Sequence, residues 1–315
     1  MTAVRFLPIA SGSKGNCYYI ETPHARVLLD CGIGIRRLTS TLREHGVELA
    51  QLDALLITHT HSDHISGVGA LLAKHPLNVF IHARQAPALD KDLRRQGLAE
   101  GLEAAAGVHL FHGEGFPFRD LDILPVPVSH DSEPTVAFKA WCGGVRLGVL
   151  TDLGVFEPAH VALFGDCDAL VLESNHCTEM LRNGPYPSFL KARIAGARGH
   201  LSNRQALEFT LGLSQLPTHL MLGHLSDNNN TPDTVDAVFG TGHIASVALT
   251  PAAPGTGHKR DTNPASLFET EWSAAGRSRP FATASPGLDR AGPVPHVVLT
   301  QLTPGPIVEL QPRRR

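Results

Sequence analysis
The sequence is short of several things, and each shortage excludes something. It has five cysteines, Cys17, Cys31, Cys142, Cys167 and Cys177. The number is odd and no CxxC spacing occurs. That argues against a disulfide framework and fits reduced, mostly buried thiols of a cytosolic protein. No charge of one sign dominates: the net charge is −3. Overall basic character, the footprint of tight non-specific DNA binding, is missing, although a local basic groove would not show in the total. Long apolar runs are missing too. None approaches the ~20 residues of a membrane span. The first apolar run, Val4 to Ala10, is short and interrupted by Arg5, unlike the apolar region of a secretory signal. The expectation is a soluble, cytoplasmic protein.

What is present is an ordinary globular composition, 42% hydrophobic over 315 residues, enough for one large domain or two small ones. Strands are expected at Val4 to Ala10, Cys17 to Glu21, Ala25 to Gly32, Asp53 to Ile57 and Asn78 to His82. The turn Ser11 to Asn16 reads as a hairpin loop or as an amide nest for an anion. Helices are expected from Ile35 to His45 and from Ile65, and a solvated one from Arg84 to Gln96. Leu121 to Val126 reads as an edge strand, because Pro125 and Pro127 would break a central ladder. Thr135 to Trp141 and Val145 to Thr151 read as a hairpin turned by Gly143-Gly144. Asp168 to Glu173 and Thr218 to His224 follow as strands. Ser202 with Gln205 fits a capping box opening a helix through about Leu213, and Pro232 fits the first turn of another. The stretch 251–293, rich in Pro, Gly, Ser, Ala and Thr, reads as a disordered insertion. It separates a catalytic body, 1–250, from a C-terminal piece, 294–315, with final strands at Val297 to Leu299 and Ile307 to Leu310 and a basic tail. Two sheets with helices outside is the natural arrangement.

The chemistry starts at His59-Thr60-His61-Ser62-Asp63-His64. This turn follows a buried strand, where α/β folds place ligands. Two imidazoles one residue apart can grip one divalent ion, and the Asp-His pair that follows can grip a second. Other strand ends present similar groups: Asp30, His130, Asp152, Glu173 and His224. Such repetition suggests that these ends converge on one site.

The order Asp30, His59-x-His61-x-Asp63-His64, His130, Asp152, His224 resembles the five motifs of the metallo-β-lactamase superfamily. The stretches Ser11-Gly12-Ser13-x-Gly15-Asn16, Gly199-His200-Leu201-Ser202-Asn203 and Gly223-His224-Leu225-Ser226-x-Asn228-Asn229 narrow this to a resemblance to its YycJ/WalJ family of nucleic-acid exonucleases. The resemblance covers residues 1–250. It implies an α/β (α+β) fold, the four-layer αββα sandwich. It implies two divalent metal ions, zinc or manganese, one held by His59, His61 and His130, the other by Asp63, His64 and His224, with Asp152 bridging and Asp30 orienting the histidine turn. The implied reaction is attack on phosphorus by a hydroxide shared between the ions. Asp63 would also handle the water proton. Glu173 and His200 resemble a pair that protonates the leaving oxygen in tRNA 3′-processing members. Ser13, Asn16 and Ser202 are candidates for phosphate oxygens, and Lys191, Arg193 and Arg198 for a strand-binding groove.

The substrate implied is nucleic acid, DNA first and RNA second. A small cyclic phosphodiester, a thioester or lactone, and a non-catalytic metal module are the other readings. The leaving-group pair favours phosphodiesters. The intact ligand set disfavours a mere module. His61, where diiron relatives usually carry glutamate, favours hydrolysis. The 70 residues or so between Asp152 and His224 leave no room for the extra domain of β-CASP nucleases.

Overall fold
The computed structural model describes residues 4–241, 296–299, 305 and 307–312. The expected insertion 251–293 lies outside the described residues. The chain opens with three antiparallel strands, β1 Val4–Ala10, β2 Cys17–Glu21 and β3 Arg26–Leu29, then α1 Ile35–Glu44 and β4 Ala54–Leu56. Two short helices, α2 Ser62–Ile65 and α3 Val68–Lys74, precede β5 Asn78–His82, α4 Ala86–Arg95 and β6 Gly107–Phe111. The second half runs β7 Phe116–Phe118, β8 Leu121–Val128, β9 Thr135–Cys142, β10 Val145–Leu150, α5 Pro158–Phe164, β11 Ala169–Glu173, α6 Thr178–Asn183, α7 Ser188–Ile194, α8 Asn203–Gly212, β12 His219–Gly223 and α9 Pro232–Thr241. β13 Val297–Val298 and β14 Val308–Leu310 complete it.

These strands form two seven-stranded sheets, in the orders β14-β1-β2-β3-β4-β5-β6 and β13-β12-β11-β10-β9-β8-β7. Period-2 alternation assigns neighbouring residues to different layers. Phe6, Tyr18, Leu29 and Phe80 from one sheet meet Phe138, Val149, Val171 and Met221 from the other in a central core. Their neighbours Leu7, Tyr19, Leu28 and Val79 face outward under Leu38 and Leu42 of α1, Leu71 of α3, and Leu89 and Leu93 of α4. Leu170, Leu172 and Leu222 do the same beneath Phe164 of α5, Leu207 and Phe209 of α8, and Phe239 of α9. The order of layers is helix, sheet, sheet, helix, as expected. Among the described residues no helix is long and apolar enough to cross a membrane.

Several expectations change in detail. The helix expected from Ile65 is broken at Gly67, whose amide donates to the Cys31 carbonyl at 2.8 Å while the Asp63 carbonyl accepts from Asn16 N. The helix over Arg84 to Gln96 is not simply solvated, since Leu89 and Leu93 are fully buried. β8 is one place in from the edge. β7 pairs only with Leu121 to Ile123, so Pro125 and Pro127 fall where β8 has β9 alone as partner. At the hairpin, Gly143 and Gly144 both take positive φ, 55° and 89°, the requirement of a type I′ turn.

Strand direction is what positions the site. β3, β4 and β5 run parallel, as do β10, β11 and β12. β8 and β10 both pair antiparallel with β9, so β8 shares the direction of β10. Every chemistry-bearing loop therefore leaves its sheet at the same end.

Candidate active site
Three of the loops begin with a residue forced into the left-handed region: Asp30 (φ 58°), Asp152 (φ 60°) and His224 (φ 57°). For a residue with a Cβ this costs roughly 1–2 kcal/mol, and it recurs where a chain must turn a side chain sharply out of a sheet. The loops are then stitched together. The Asn16 amide donates to the Asp63 carbonyl at 2.8 Å, Gly32 N donates to the Asn16 carbonyl at 2.9 Å, and Cys31 N donates to the His64 carbonyl at 2.8 Å. A Cβ on Gly32 would lie 1.7 Å from the Asp63 carbonyl oxygen, so only glycine permits this approach.

The five histidines of the expected ligand set share one pattern: one nitrogen is tied to a protein partner and the other faces its neighbours. His64 Nδ1 pairs with Asp30 Oδ2 at 2.7 Å. His59 Nδ1 lies 3.0 Å from Thr58 Oγ1. His130 Nδ1 donates to the Gly199 carbonyl at 3.1 Å, and His224 Nδ1 donates to Asn16 Oδ1 at 3.3 Å. His61 is reversed: its Nε2 lies 3.4 Å from Asp131 Oδ1, and its Nδ1 is 3.3 Å from His130 Nε2. Fixing one imidazole nitrogen selects the tautomer that frees the other for a cation. Buried His59 Nε2 has no hydrogen-bond partner.

Donor atoms of His59, His61 and His130 lie within 4.8 Å of one another, and so do those of Asp63, His64 and His224. Asp152 touches both sets. Its Oδ1 is 3.4 Å from His224 Nε2 and 3.7 Å from His130 Nε2, and its Oδ2 is 3.1 Å from His64 Nε2. Burial works to raise the Asp152 pKa, but the imidazoles of His224 and His64 outweigh it and hold the carboxyl well below its usual range. Burial works the other way on His64, where Asp152, Asp63 and Asp30 together push the imidazole well above its ordinary value. A positive charge is therefore favoured at that spot, and a metal ion supplies it as well as a proton does. His59, His61 and His130 are pushed down, burial being the main cause, and neutral imidazole is the ligating form. This imidazole and carboxylate set fits divalent cations.

Glu173, fully buried, holds the next group. Its Oε1 accepts from His200 Nδ1 at 2.7 Å, while its Oε2 accepts from the amides of Leu153 at 3.0 Å and Leu201 at 3.2 Å. Burial would lower the His200 pKa, but the Glu173 charge and hydrogen bond lift it to about 9. His200 Nδ1 stands 3.9 Å from Asp152 Oδ1. With His61, Asp63, His130 and His224, His200 lines a cleft of about 360 Å³.

The remaining expectations divide. Ser13 is exposed at the cleft and Arg193 lines its mouth. Asn16 is fully buried; its Nδ2 lies 3.0 Å from His64 Nε2 and donates to Asp63 Oδ2 at 3.3 Å. It braces the ligands instead of meeting phosphate. Ser202 does not line the cleft. Its hydroxyl caps α8, accepting from Gln205 N at 3.3 Å and donating to Gln205 Oε1 at 2.7 Å. Lys191 Nζ donates to the Arg182 carbonyl at 2.7 Å. Sequence reading missed Thr58, whose amide and hydroxyl donate to Asp30 at 2.9 and 2.8 Å. It also missed Asp131, which joins His61 to Arg193. Their only signal was adjacency to His59 and His130.

Comparison with known proteins agrees with this geometry. Residues 25–225 match the family described as "Beta-lactamase superfamily domain". Exodeoxyribonuclease WalJ of Streptococcus pneumoniae is 34% identical over 224 residues, 70% of this chain and 81% of that protein. The chain belongs to the metallo-β-lactamase superfamily, in its WalJ/YycJ family. Exodeoxyribonuclease YycJ of Bacillus anthracis, also of this family, is 29% identical over 228 residues, 72% of this chain and 84% of that one. Among solved structures, the metallo-β-lactamase fold protein YhfI from Bacillus subtilis superposes with a TM-score of 0.58 at 16% identity, over 75% of this chain and 92% of that one. This WalJ/YycJ-family chain is a hydrolase of the metallo-β-lactamase fold.

Proposed function
We propose that the chain is a dinuclear metal-dependent phosphodiesterase of nucleic acid, a DNA 5′-exonuclease. The observation that carries this reading is the Glu173–His200 pair, held at 2.7 Å beside Asp152. A thioester expels a thiolate and needs no strong proton donor at that place, whereas the alkoxide leaving a phosphodiester needs one. The choice of DNA is supported by the names of WalJ and YycJ, exodeoxyribonucleases of which the chain spans more than four fifths.

In this reading His59, His61 and His130 would hold one ion, Asp63, His64 and His224 would hold the other, and Asp152 would be available to both. Bound there, a divalent pair supplies a nucleophile at neutral pH and offsets charge on the phosphoryl oxygens. The protein groups do the rest. Asp30 and Thr58 fix His64 and His59 in their ligating orientation. Asp63 orients the attacking water and accepts its proton. Ser13 meets the scissile phosphodiester, and Arg193 meets the strand's backbone beside it. As the new bond to phosphorus forms and the ester bond on its far side breaks, His200 gives its proton to the departing oxygen. Glu173 stabilises the imidazolium before the transfer, and solvent returns a proton to His200 afterwards.

The test is metal-dependent digestion of end-labelled single- and double-stranded DNA and RNA, with His61→Ala as control. Mononucleotides released stepwise from 5′-phosphorylated DNA are expected. Turnover of RNA alone, or of bis-p-nitrophenyl phosphate with no oligonucleotide cut, would replace this substrate assignment.

A further inference from the structure
Between the Glu173 strand and the His200 loop lies a segment, residues 178–198, of unusual charge. It carries Arg182, Lys191, Arg193 and Arg198 against Glu179 alone, four cations to one acid, in a chain whose net charge is −3. Its helix α7 buries no residue. Leu190, Arg193 and Ile194 line the cleft that holds the candidate ligands. Phe189 is 74% exposed, the highest value for a large apolar side chain among the described residues.

Helical spacing puts Phe189 one turn before Arg193 and on the same side of α7. The ring does not line the cleft itself but neighbours Leu190 and Arg193, which do. Lys191 lies on the opposite side of the helix and contacts the Arg182 carbonyl. Arg193 is pinned at the mouth, its Nε and Nη2 meeting Asp131 Oδ2 at 2.6 and 2.5 Å. Arg198 continues the lip, with Nε donating to the His130 carbonyl at 3.3 Å and Nη2 3.2 Å from Glu133. A phenyl ring left in water contributes nothing to the core beneath it. Beside guanidinium groups on the rim of a phosphodiester site, it has the chemistry by which proteins hold single strands without regard to sequence: a base stacks on the ring and cations track the backbone.

We propose that Phe189 and Arg193 form a strand-guiding platform for an unpaired nucleic-acid end. A base stacks on Phe189 while Arg193 holds a phosphate neighbouring the scissile one. The proposal rests on the nuclease reading above. A polyanion is favoured over a protein partner by the segment's continuity with the cleft and by its four cations to one acid; two of the cations, Arg193 and Arg198, pair with Asp131 and Glu133 outside it. A frayed or overhanging end offers a free base face, so such ends are processed faster than blunt duplex ends.

The experiment compares wild type, Phe189→Ala and Phe189→Trp, all as metal-loaded full-length chains. The first readout is the ratio of kcat/KM on single-stranded oligodeoxynucleotide to that on bis-p-nitrophenyl phosphate. The second is quenching of 2-aminopurine at successive positions from the 5′ end. Loss of one stacked base lowers the ratio by about five- to 150-fold in Phe189→Ala, through KM, and abolishes quenching at one position. Phe189→Trp restores both. An unaltered ratio in Phe189→Ala overturns the platform and leaves the nuclease reading standing. Failure of wild type to cut any oligonucleotide overturns both. A wild-type dimer in light scattering that Phe189→Ala converts to monomer assigns the ring to a second copy and also overturns the platform.

Discussion

Replacing Glu173 by glutamine tests the proposed proton donor, His200, without emptying its site. The amide keeps the shape and retains one oxygen for the Leu153 and Leu201 amides, but it removes the charge facing His200 Nδ1 at 2.7 Å. Burial lowers the His200 pKa, and Glu173 is the chief reason that it nevertheless stands at about 9. Against an ordinary histidine near 6.5, that elevation is worth about 3 kcal/mol in favour of the imidazolium. The sign follows from linkage. A raised folded-state pKa contributes stability that is complete below about pH 6.5 and disappears as pH rises through about 9. In Glu173→Gln only burial and more distant carboxylates remain, and the pKa falls to about 6.5 or lower. At pH 7 the protonated fraction then drops about four-fold, and at pH 8 about thirty-fold. The assay is the pH profile of kcat/KM on an oligonucleotide, whose alkoxide leaving group needs the proton. Its alkaline limb moves to lower pH in the variant, because the carboxylate that holds the His200 proton is gone. On bis-p-nitrophenyl phosphate, whose phenolate leaves unaided, the shift in rate is much smaller. An alkaline limb that stays in place on the oligonucleotide would refute the assignment of His200 as donor.

Three further outcomes are expected. His200→Ala retains its metal content by elemental analysis but loses about 10²- to 10⁴-fold in oligonucleotide kcat; loss of metal instead would make His200 a ligand. Asp30→Asn weakens the partner of His64 Nδ1 and lowers metal affinity about 10- to 100-fold in a competitive chelator titration, so unchanged affinity would remove Asp30 from the account. Gly32→Ala sets a Cβ against the Asp63 carbonyl at 1.7 Å. The loops must separate, with a loss of about 1–3 kcal/mol or more in denaturant unfolding and weaker metal binding; a variant with wild-type stability would contradict the described packing of these loops.

Much of this architecture was legible because its signals are local. Polar residues closing apolar strands, as at Asp30, Asp152 and His224, show in the sequence where a sheet ends and where chemistry starts. What stayed hidden depends on tertiary contacts. β6 escaped notice because it lacks alternation: Val108, His109 and Leu110 are all exposed, and only Phe111 is buried. Asn16 reads as a polar turn residue, and only the approach of the His64 loop makes it a brace. Ser202 stands beside His200 in sequence, yet its capping bond directs the hydroxyl along α8. Asp131 acquires meaning only when β8 and α7 come together at the cleft mouth.

His59, His61, Asp63, His64, His130, Asp152 and His224 are proposed to form one dinuclear centre. The most direct measurement is metal stoichiometry by elemental analysis of the full chain, joined to anomalous scattering from crystals at the metal edge. Two ions per chain are expected, with Asp152 in contact with both. A single ion, or ions bound away from these seven side chains, would contradict that proposal.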